Sequence, residues 1–394
     1  MSAAALRNRV AIVGVGYSDV QRHSERTVGQ LAVSACARAL DDAGLNADDI
    51  DGVSNYPTPS GPFRSPIVNG VHVVDVEYIA QAMRLENLNW SCSITGGTMT
   101  AAIVEAVHAL AAGACSYVLV WRAMHNPFGA FGRVSQPRVE GVGQFSAPWG
   151  FGHNVIRFAM PYSRYMALYG ATREHLATFI VRNRSNAADN PDAVFSRHPI
   201  EADEYLNARM IAEPLSLLDC DMPVDGCGAV VLTTAERARN LKQKPAYVTG
   251  CASLGLPPQR TLGVTLEDMM ISGRRLALAL WSSAGLSHND ITHAHLYDGF
   301  SYFPYLWLEC FGFYPEGEAY LGLQDETTAR GGTLPLNTSG GALGMGRLHG
   351  SPQVVEAVLQ IQGRSGLRQI AHPEVALVQT GGPAHYCGAL VLSA

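Results

Sequence analysis

The chain has 394 residues and a net charge of −6, and 47% of it is apolar against only 16% charged. That size suits two ordinary domains or one large duplicated one, with much buried surface and a sizeable subunit interface. With no basic run and no apolar stretch of the ~18 residues a membrane span needs, nucleic acid, an anionic membrane surface and a bilayer are excluded as main partners.

Residues 10–15 (VAIVGV) form a short apolar run closed by glycine, the pattern of a fully buried strand. The N-terminus reaches it without the n-region and h-region of a signal peptide. Gly14-x-Gly16 invites a dinucleotide reading, but Asp19 stands where the third glycine belongs, so a Rossmann fingerprint is rejected. Thr27 is a suitable N-cap for a helix to Ala43, with apolar residues at 31, 32, 35, 36, 39, 40 and 43 and a stop at Gly44. Asn46 to Asp49 are expected to start a short turn before the next strand. The eight cysteines are scattered without a C-x-x-C pair, which points to buried thiols in a reducing compartment and an expected cytoplasmic location.

A phrase then recurs. Ala43-Gly44-Leu45 with Asp49-Ile50 is matched 241 residues later by Ala284-Gly285-Leu286 with Asp290-Ile291, each preceded by a helix pattern and followed by a strand candidate. Gly96-Gly97, the helix segment Val104-Glu105-Ala106-Val107 and the strand at 116–121 are matched by the glycine loop at 337–350, Val355-Glu356-Ala357-Val358 and the strand at 374–379. Two ordered matches at similar shifts predict two copies of one βαβα unit. The expected division is an N-terminal half, 1–244, and a C-terminal half, 245–394. The first half carries an insertion at about 122–215, rich in glycine and aromatics and holding a helix at 173–190, before its last strand at 228–234; such material forms a lid or binding surface. The aromatic run at 302–314 reads as a buried helix. His293 and His295 alternate on one strand face, and with no third ligand no metal site is expected.

The second-half loop reads NTSGGALGMGRLHG. Its five glycines allow sharp turns or close approach to a ligand, and Arg347 and His349 stand among them, before a helix expected from about Ser351. A loop of this kind at a helix start exposes N–H groups suited to an anion or a developing oxyanion.

The repeated AGL-x-x-x-DI phrases, YDGF at 297–300 and NTSGG…GRLHG at 337–350 resemble the thiolase superfamily over essentially the whole chain. Stretches such as AEPLSLLDCDMPVDGCGAVVLTT and LPLNTSGGALG are most similar to its sterol-carrier or lipid-transfer branch. The resemblance implies an α/β thiolase fold, duplicated βαβα halves in a five-layer α-β-α-β-α core, and a dimer. It also implies a nucleophilic Cys, a His from a G-H-P-L-G loop and an Asn or His in a third motif. Here those positions hold Gly96, Arg347 and Tyr297, and Cys92 lies four residues before the first of them. Arginine cannot act as the base, so thiolysis through an acyl-enzyme is not expected.

A branch with a similarly substituted site resembles aldolases that cleave steroid side chains in complex with a small OB-fold/zinc-ribbon partner. The resemblance therefore implies retro-aldol cleavage of a β-hydroxy acyl-CoA thioester by a homodimer, extended to a heterotetramer by that partner, with coenzyme A entering only as part of the substrate and no other cofactor. Such a reaction needs a base for the β-hydroxyl proton and donors for the enolate oxygen, and no covalent nucleophile. The expected catalytic residues are Tyr297, Arg347 and His349. Arg347 is expected to lower the pKa of Tyr297, and His349 to offer a base near its free pKa of ~6.5. Gly96, Gly97, Gly341, Gly346 and His385 are the expected substrate contacts, the glycine loops giving backbone donors. The alternatives are an acyltransferase using Cys92 and a non-catalytic acyl-CoA-binding subunit.

Overall fold

The computed structural model describes residues 6–56, 73–94, 98–125, 144–151, 154–254, 265–383 and 387–394. Strand β1 (Val10–Tyr17) leads into α1 (Val28–Ala43). Thr27 and Gln30 form a reciprocal capping box at the start of α1, and Gly44 closes its end in the left-handed region at φ 73°. Gly14 and Gly16 serve packing: a Cβ at either would come within 2.3 or 2.5 Å of a carbonyl of α1. Next come β2 (Gly52–Asn55), α2 (Val76–Met83), β3 (Trp90–Ser93), α3 (Met99–Ala111) and β4 (Tyr117–Met124). The insertion contributes α4 (Asn154–Tyr169) and α5 (Arg173–Ala188), and the first half ends in β5 (Gly226–Thr234).

The second half follows a similar order, with the short helix α8 where the first half has β3: β6 (Ala246–Leu254), α6 (Leu266–Ala284), β7 (His293–His295), α7 (Phe303–Cys310), α8 (Gly341–Met345), α9 (Ser351–Ile361), β8 (Val375–Thr380) and β9 (Cys387–Ser393). A short 3₁₀ turn follows each AGL phrase, at Ala47–Asp49 and His288–Asp290. The recurring phrases of the sequence therefore fall on recurring elements.

The strands hydrogen-bond in the order β3-β2-β4-β5-β1-β6-β9-β8-β7. β2 runs parallel to β3 and β4, β7 runs parallel to β8, and the remaining pairs are antiparallel. The first strands of the two copies meet through only two residue pairs, Ala11 with Tyr247 and Ile12 with Ala246. This seam makes one nine-stranded series from what the duplication predicts as two sheets. One face of the first sheet packs on α1, through Val13, Ala35, Ala39 and Trp121. Its other face and the inner face of the second sheet enclose α3 and α9, where Ile103, Val107, Val354 and Val358 are buried. The outer face of the second sheet carries α6. These are the five layers expected from the resemblance.

The aromatic run is a buried helix, as its composition predicts: Phe303, Tyr305 and Trp307 are buried and pack with Tyr162, Tyr165 and Phe179 of the insertion. Burial of each such side chain contributes roughly 1.5–3 kcal/mol, so the insertion is welded to the second half. His293 and His295 are buried on β7 and share a 3.0 Å contact, and burial lowers the pKa of both. They are neutral core side chains. Among the described residues no helix is long and apolar enough to cross a membrane.

Candidate active site

The candidate side chains lie at or just beyond the C-terminal ends of strands in the two parallel pairs, β2/β4 and β7/β8. Tyr56 follows β2, Arg122 lies near the end of β4, and Tyr297 comes after β7. The loop carrying Arg347 and His349 closes over them. It is fixed at its start by Asn337, whose side-chain amide accepts from Leu296 N at 2.8 Å and donates to Leu296 O at 2.9 Å. Thr338 then donates to Glu356, which is buried and paired with Arg368 at 2.9 Å.

Within the loop, α8 begins at Gly341 (φ 59°), and its first N–H groups are already used. Ala342 N and Leu343 N donate to the carboxylate of Asp298 at 2.7 and 3.3 Å. Asn183 of the insertion and Gln353 of α9 donate to the same carboxylate at 2.6 and 2.9 Å. A Cβ at Gly341 would lie 2.2 Å from Asp298 Oδ2, and one at Gly346 (φ 117°) would lie 2.8 Å from Val224. The crowding that demands glycine at both positions is thus with the protein's own chain, and the backbone donors expected here for an enolate are spent on Asp298. Gly96, Gly97 and His385 lie outside the described residues.

Tyr297, Arg347 and His349 do converge, around a residue that motif reasoning missed. Asp221 belongs to the segment 219–221, which runs against 299–301 through Asp221 N to Gly299 O at 3.2 Å and Ser301 N to Asp219 O at 3.0 Å. This pairing lays Asp221 beside Tyr297, whose phenol donates to Asp221 Oδ2 at 3.3 Å. Arg347 Nε lies 3.9 Å from Asp221 Oδ1 and donates to His349 Nε2 at 3.1 Å. Gly299 makes room for the phenol, since a Cβ there would stand 2.4 Å from the Tyr297 hydroxyl.

The electrostatics outweigh one expected effect and oppose another. Arg347 does pull the Tyr297 pKa down, but burial and the adjacent Asp221 outweigh it and hold the phenol well above its ordinary value of 10.0. Burial and the two flanking guanidiniums of Arg122 and Arg347 push His349 well below 6.5. His349 is therefore neutral, with its Nε2 lone pair engaged by Arg347, and is poorly suited to act as the base. The group that titrates near neutrality is Asp221, raised from 3.8 to about 7 by burial, with Arg347 opposing and Asp298 adding to the rise. Asp298 is likewise raised to about 7 by burial against its four N–H donors. Asp221 was hard to find by motif because DCDMPVDG carries three carboxylates with no distinguishing spacing.

Cys92 lies on β3, and its thiol is raised by burial and by Glu105. It is not set at a helix start, and its environment does not favour the thiolate.

Residues 264–394 match a family described as "Thiolase C-terminal domain-like". The chain is 34% identical over 390 residues to the 17-hydroxy-3-oxo-4-pregnene-20-carboxyl-CoA lyase of Mycobacterium tuberculosis, an alignment covering 95% of this chain and 97% of that protein. It is 32% identical over 370 residues to a steroid side-chain-cleaving aldolase of Thermomonospora curvata, covering 91% and 92%. Among solved structures, the Ltp2-ChsH2(DUF35) aldolase superposes with a TM-score of 0.87 at 30% identity, over 99% of this chain and 98% of that one. Human mitochondrial 3-ketoacyl-CoA thiolase, at 15% identity and a TM-score of 0.68 over 99% and 100% of the two chains, shares the fold. The chain belongs to the thiolase superfamily, within the branch that holds the steroid side-chain-cleaving aldolases.

Proposed function

We propose that the protein is a retro-aldolase that cleaves the Cα–Cβ bond of a β-hydroxy acyl-CoA thioester bearing a steroid, bile-acid or similar side chain, without a cysteine acyl-enzyme. The observation that carries this reading is the Tyr297–Asp221 hydrogen bond, at 3.3 Å, in a site where Asp221 titrates near neutrality. Kinship over nine-tenths of the chain to two enzymes named for such cleavage supports it.

In this mechanism the substrate β-hydroxyl gives its proton to the Tyr297 oxygen as the phenol proton passes to Asp221. The β-carbon becomes a carbonyl, and the Cα–Cβ electrons move into the thioester as an enolate, which takes back at Cα, through Tyr297, the proton that Asp221 received. A buried phenol with a high pKa relays a proton better than it holds a charge, which suits Tyr297 as relay and Asp221 as base. His349 holds Arg347 in place, and Arg347 favours the Asp221 carboxylate. Gly96, Gly97 and His385 remain proposed substrate contacts. Gly341 and Gly346 shape the loop around Asp298 and Val224.

Coenzyme A enters as part of the substrate, and the reading calls on no other cofactor. The halves 1–244 and 245–394 each supply part of the site: Arg122 and Asp221 come from the first, and Tyr297 and Arg347 from the second. We propose a cytoplasmic homodimer joined by a small OB-fold/zinc-ribbon partner in a heterotetramer. The solved neighbour named as a complex with a DUF35 protein supports that partner.

The test is mass spectrometry of a β-hydroxy steroid-side-chain acyl-CoA incubated with the protein, alone and with its small partner. The reading predicts a ketone and a shortened acyl-CoA in equal amounts. Acyl transfer to free CoA without ketone formation would rule it out.

A further inference from the structure

The proposed cleavage generates an enolate oxygen, and the α8 N–H groups expected to meet it are bound to Asp298. The same site holds a cation whose hydrogen-bonding capacity is not fully used. Arg122 is only 3% exposed, and no carboxylate pairs with it among the described residues. It is rigidly held: one terminal nitrogen donates to Tyr56 O, and the guanidinium carbon lies 4.3 Å over the Tyr56 ring. That ring in turn stacks with His349, with centroids 6.1 Å apart at 22°. The Arg122 Nε has no partner among the described residues.

The contact with His349 leaves a further donor unmatched. Arg122 Nη2 lies 3.1 Å from His349 Nδ1, and Arg347 Nε lies 3.1 Å from His349 Nε2. Both guanidiniums carry donors only, whereas a neutral imidazole has one acceptor nitrogen and one N–H. In either tautomer, one arginine therefore faces a donor across the ring. With Arg347 satisfied at Nε2, Arg122 has two N–H groups without an acceptor, at Nε and at Nη2. Unmatched donors on a buried cation cost free energy that an incoming anionic oxygen recovers.

We propose that Arg122 binds the thioester oxygen as it becomes an enolate, with Arg347 across the His349 ring adding positive charge. This rests on the retro-aldolase reading for its substrate but makes a separable claim: Arg122 is a catalytic residue that stabilises the enolate of an acyl-CoA. The stabilisation applies equally to the reverse half-reaction, in which a short acyl-CoA gives a proton from Cα through Tyr297 to Asp221, and a solvent-derived proton returns by the same path. Carbon–carbon cleavage is not needed for that exchange.

The experiment incubates the full chain, alone and with its small partner, with propionyl-CoA in D2O and follows deuterium entry at Cα by mass spectrometry, with cleavage of the β-hydroxy acyl-CoA assayed in parallel. Wild-type protein exchanges the α-protons. Arg122→Met lowers exchange and cleavage together by roughly 10²- to 10³-fold, the scale of losing one preorganised oxyanion donor. Its Kd for propionyl-CoA changes less than about threefold, because the charge is needed only once the enolate forms. Arg122→Lys keeps the cation and recovers part of both rates, and it stands in if the methionine variant fails to fold. Exchange at the wild-type rate in Arg122→Met, or a loss of propionyl-CoA binding equal to the loss of exchange, would overturn the proposal while cleavage by the wild type keeps the retro-aldolase reading. Arg122-dependent exchange without any cleavage would leave the enolate site standing and remove that reading. Absence of exchange in the wild type, both alone and with its small partner, overturns the enolate site outright.

Discussion

The phenol of Tyr297 donates to Asp221 Oδ2 across 3.3 Å, and Oδ1 of the same carboxylate lies 3.9 Å from Arg347 Nε. One buried carboxylate thus links the tyrosine and the arginine that occupy two altered motif positions. Tyr297→Phe and Asp221→Asn are each expected to lower cleavage by roughly 10²- to 10⁴-fold, the usual range for a positioned acid or base. The double variant should be little worse than either single one, because the two act as one proton path. Full additivity in the kinetic cycle would mean that they act separately.

The activity of the wild type should rise with pH through about 7, as Asp221 loses its proton and becomes able to accept one. Arg347 lowers the Asp221 pKa, so Arg347→Met should move this rise to higher pH as well as weaken it. A pH profile of kcat/KM for both proteins checks the sign. A rise that stays in place in Arg347→Met would detach it from Asp221.

Stability carries the opposite trend. Asp221 is protonated in the fold and ionised in the unfolded chain between about pH 4 and about 7, so its contribution falls as pH rises across that window and is flat above it. Asp221→Asn should reduce the fall in Tm between about pH 5 and about pH 8 without abolishing it, because Asp298 behaves in the same way. Scanning calorimetry at the two pH values measures this directly.

Two glycines should separate activity from stability. Gly299→Ala places a methyl 2.4 Å from the Tyr297 hydroxyl, at the end of a side chain and not against backbone, so the ring is displaced. Cleavage should fall about tenfold or more, as expected for a misplaced proton carrier, with little change in urea midpoint. Gly341→Ala combines φ 59° with a 2.2 Å approach to buried Asp298. It should destabilise the fold by about 1–3 kcal/mol or more in urea unfolding.

The duplication was legible because both copies keep the same helix stop and turn, and these fell at Gly44 and Gly285 in the left-handed region. The buried helix at Phe303–Cys310 was legible from composition. That Tyr297, Arg347 and His349 lie together was legible from their places in motifs, but their protonation was not. The pKa of Tyr297 is set by burial and by Asp221, which is 76 residues away in sequence, and that of His349 by burial and by Arg122, 227 away. Asp298 has no legible role within YDGF, since its four donors come from α5, α8 and α9. Local pattern gives an element its place, but partners that meet only in the tertiary fold give a side chain its charge.

The most direct test of the central claim compares Cys92→Ala and Tyr297→Phe in the same cleavage assay, with intact-protein mass spectrometry during turnover. The account predicts that Cys92→Ala releases the ketone at the wild-type rate, that Tyr297→Phe releases almost none, and that no acyl adduct accumulates on either protein. An acyl adduct on Cys92, with activity lost in Cys92→Ala and kept in Tyr297→Phe, would contradict it.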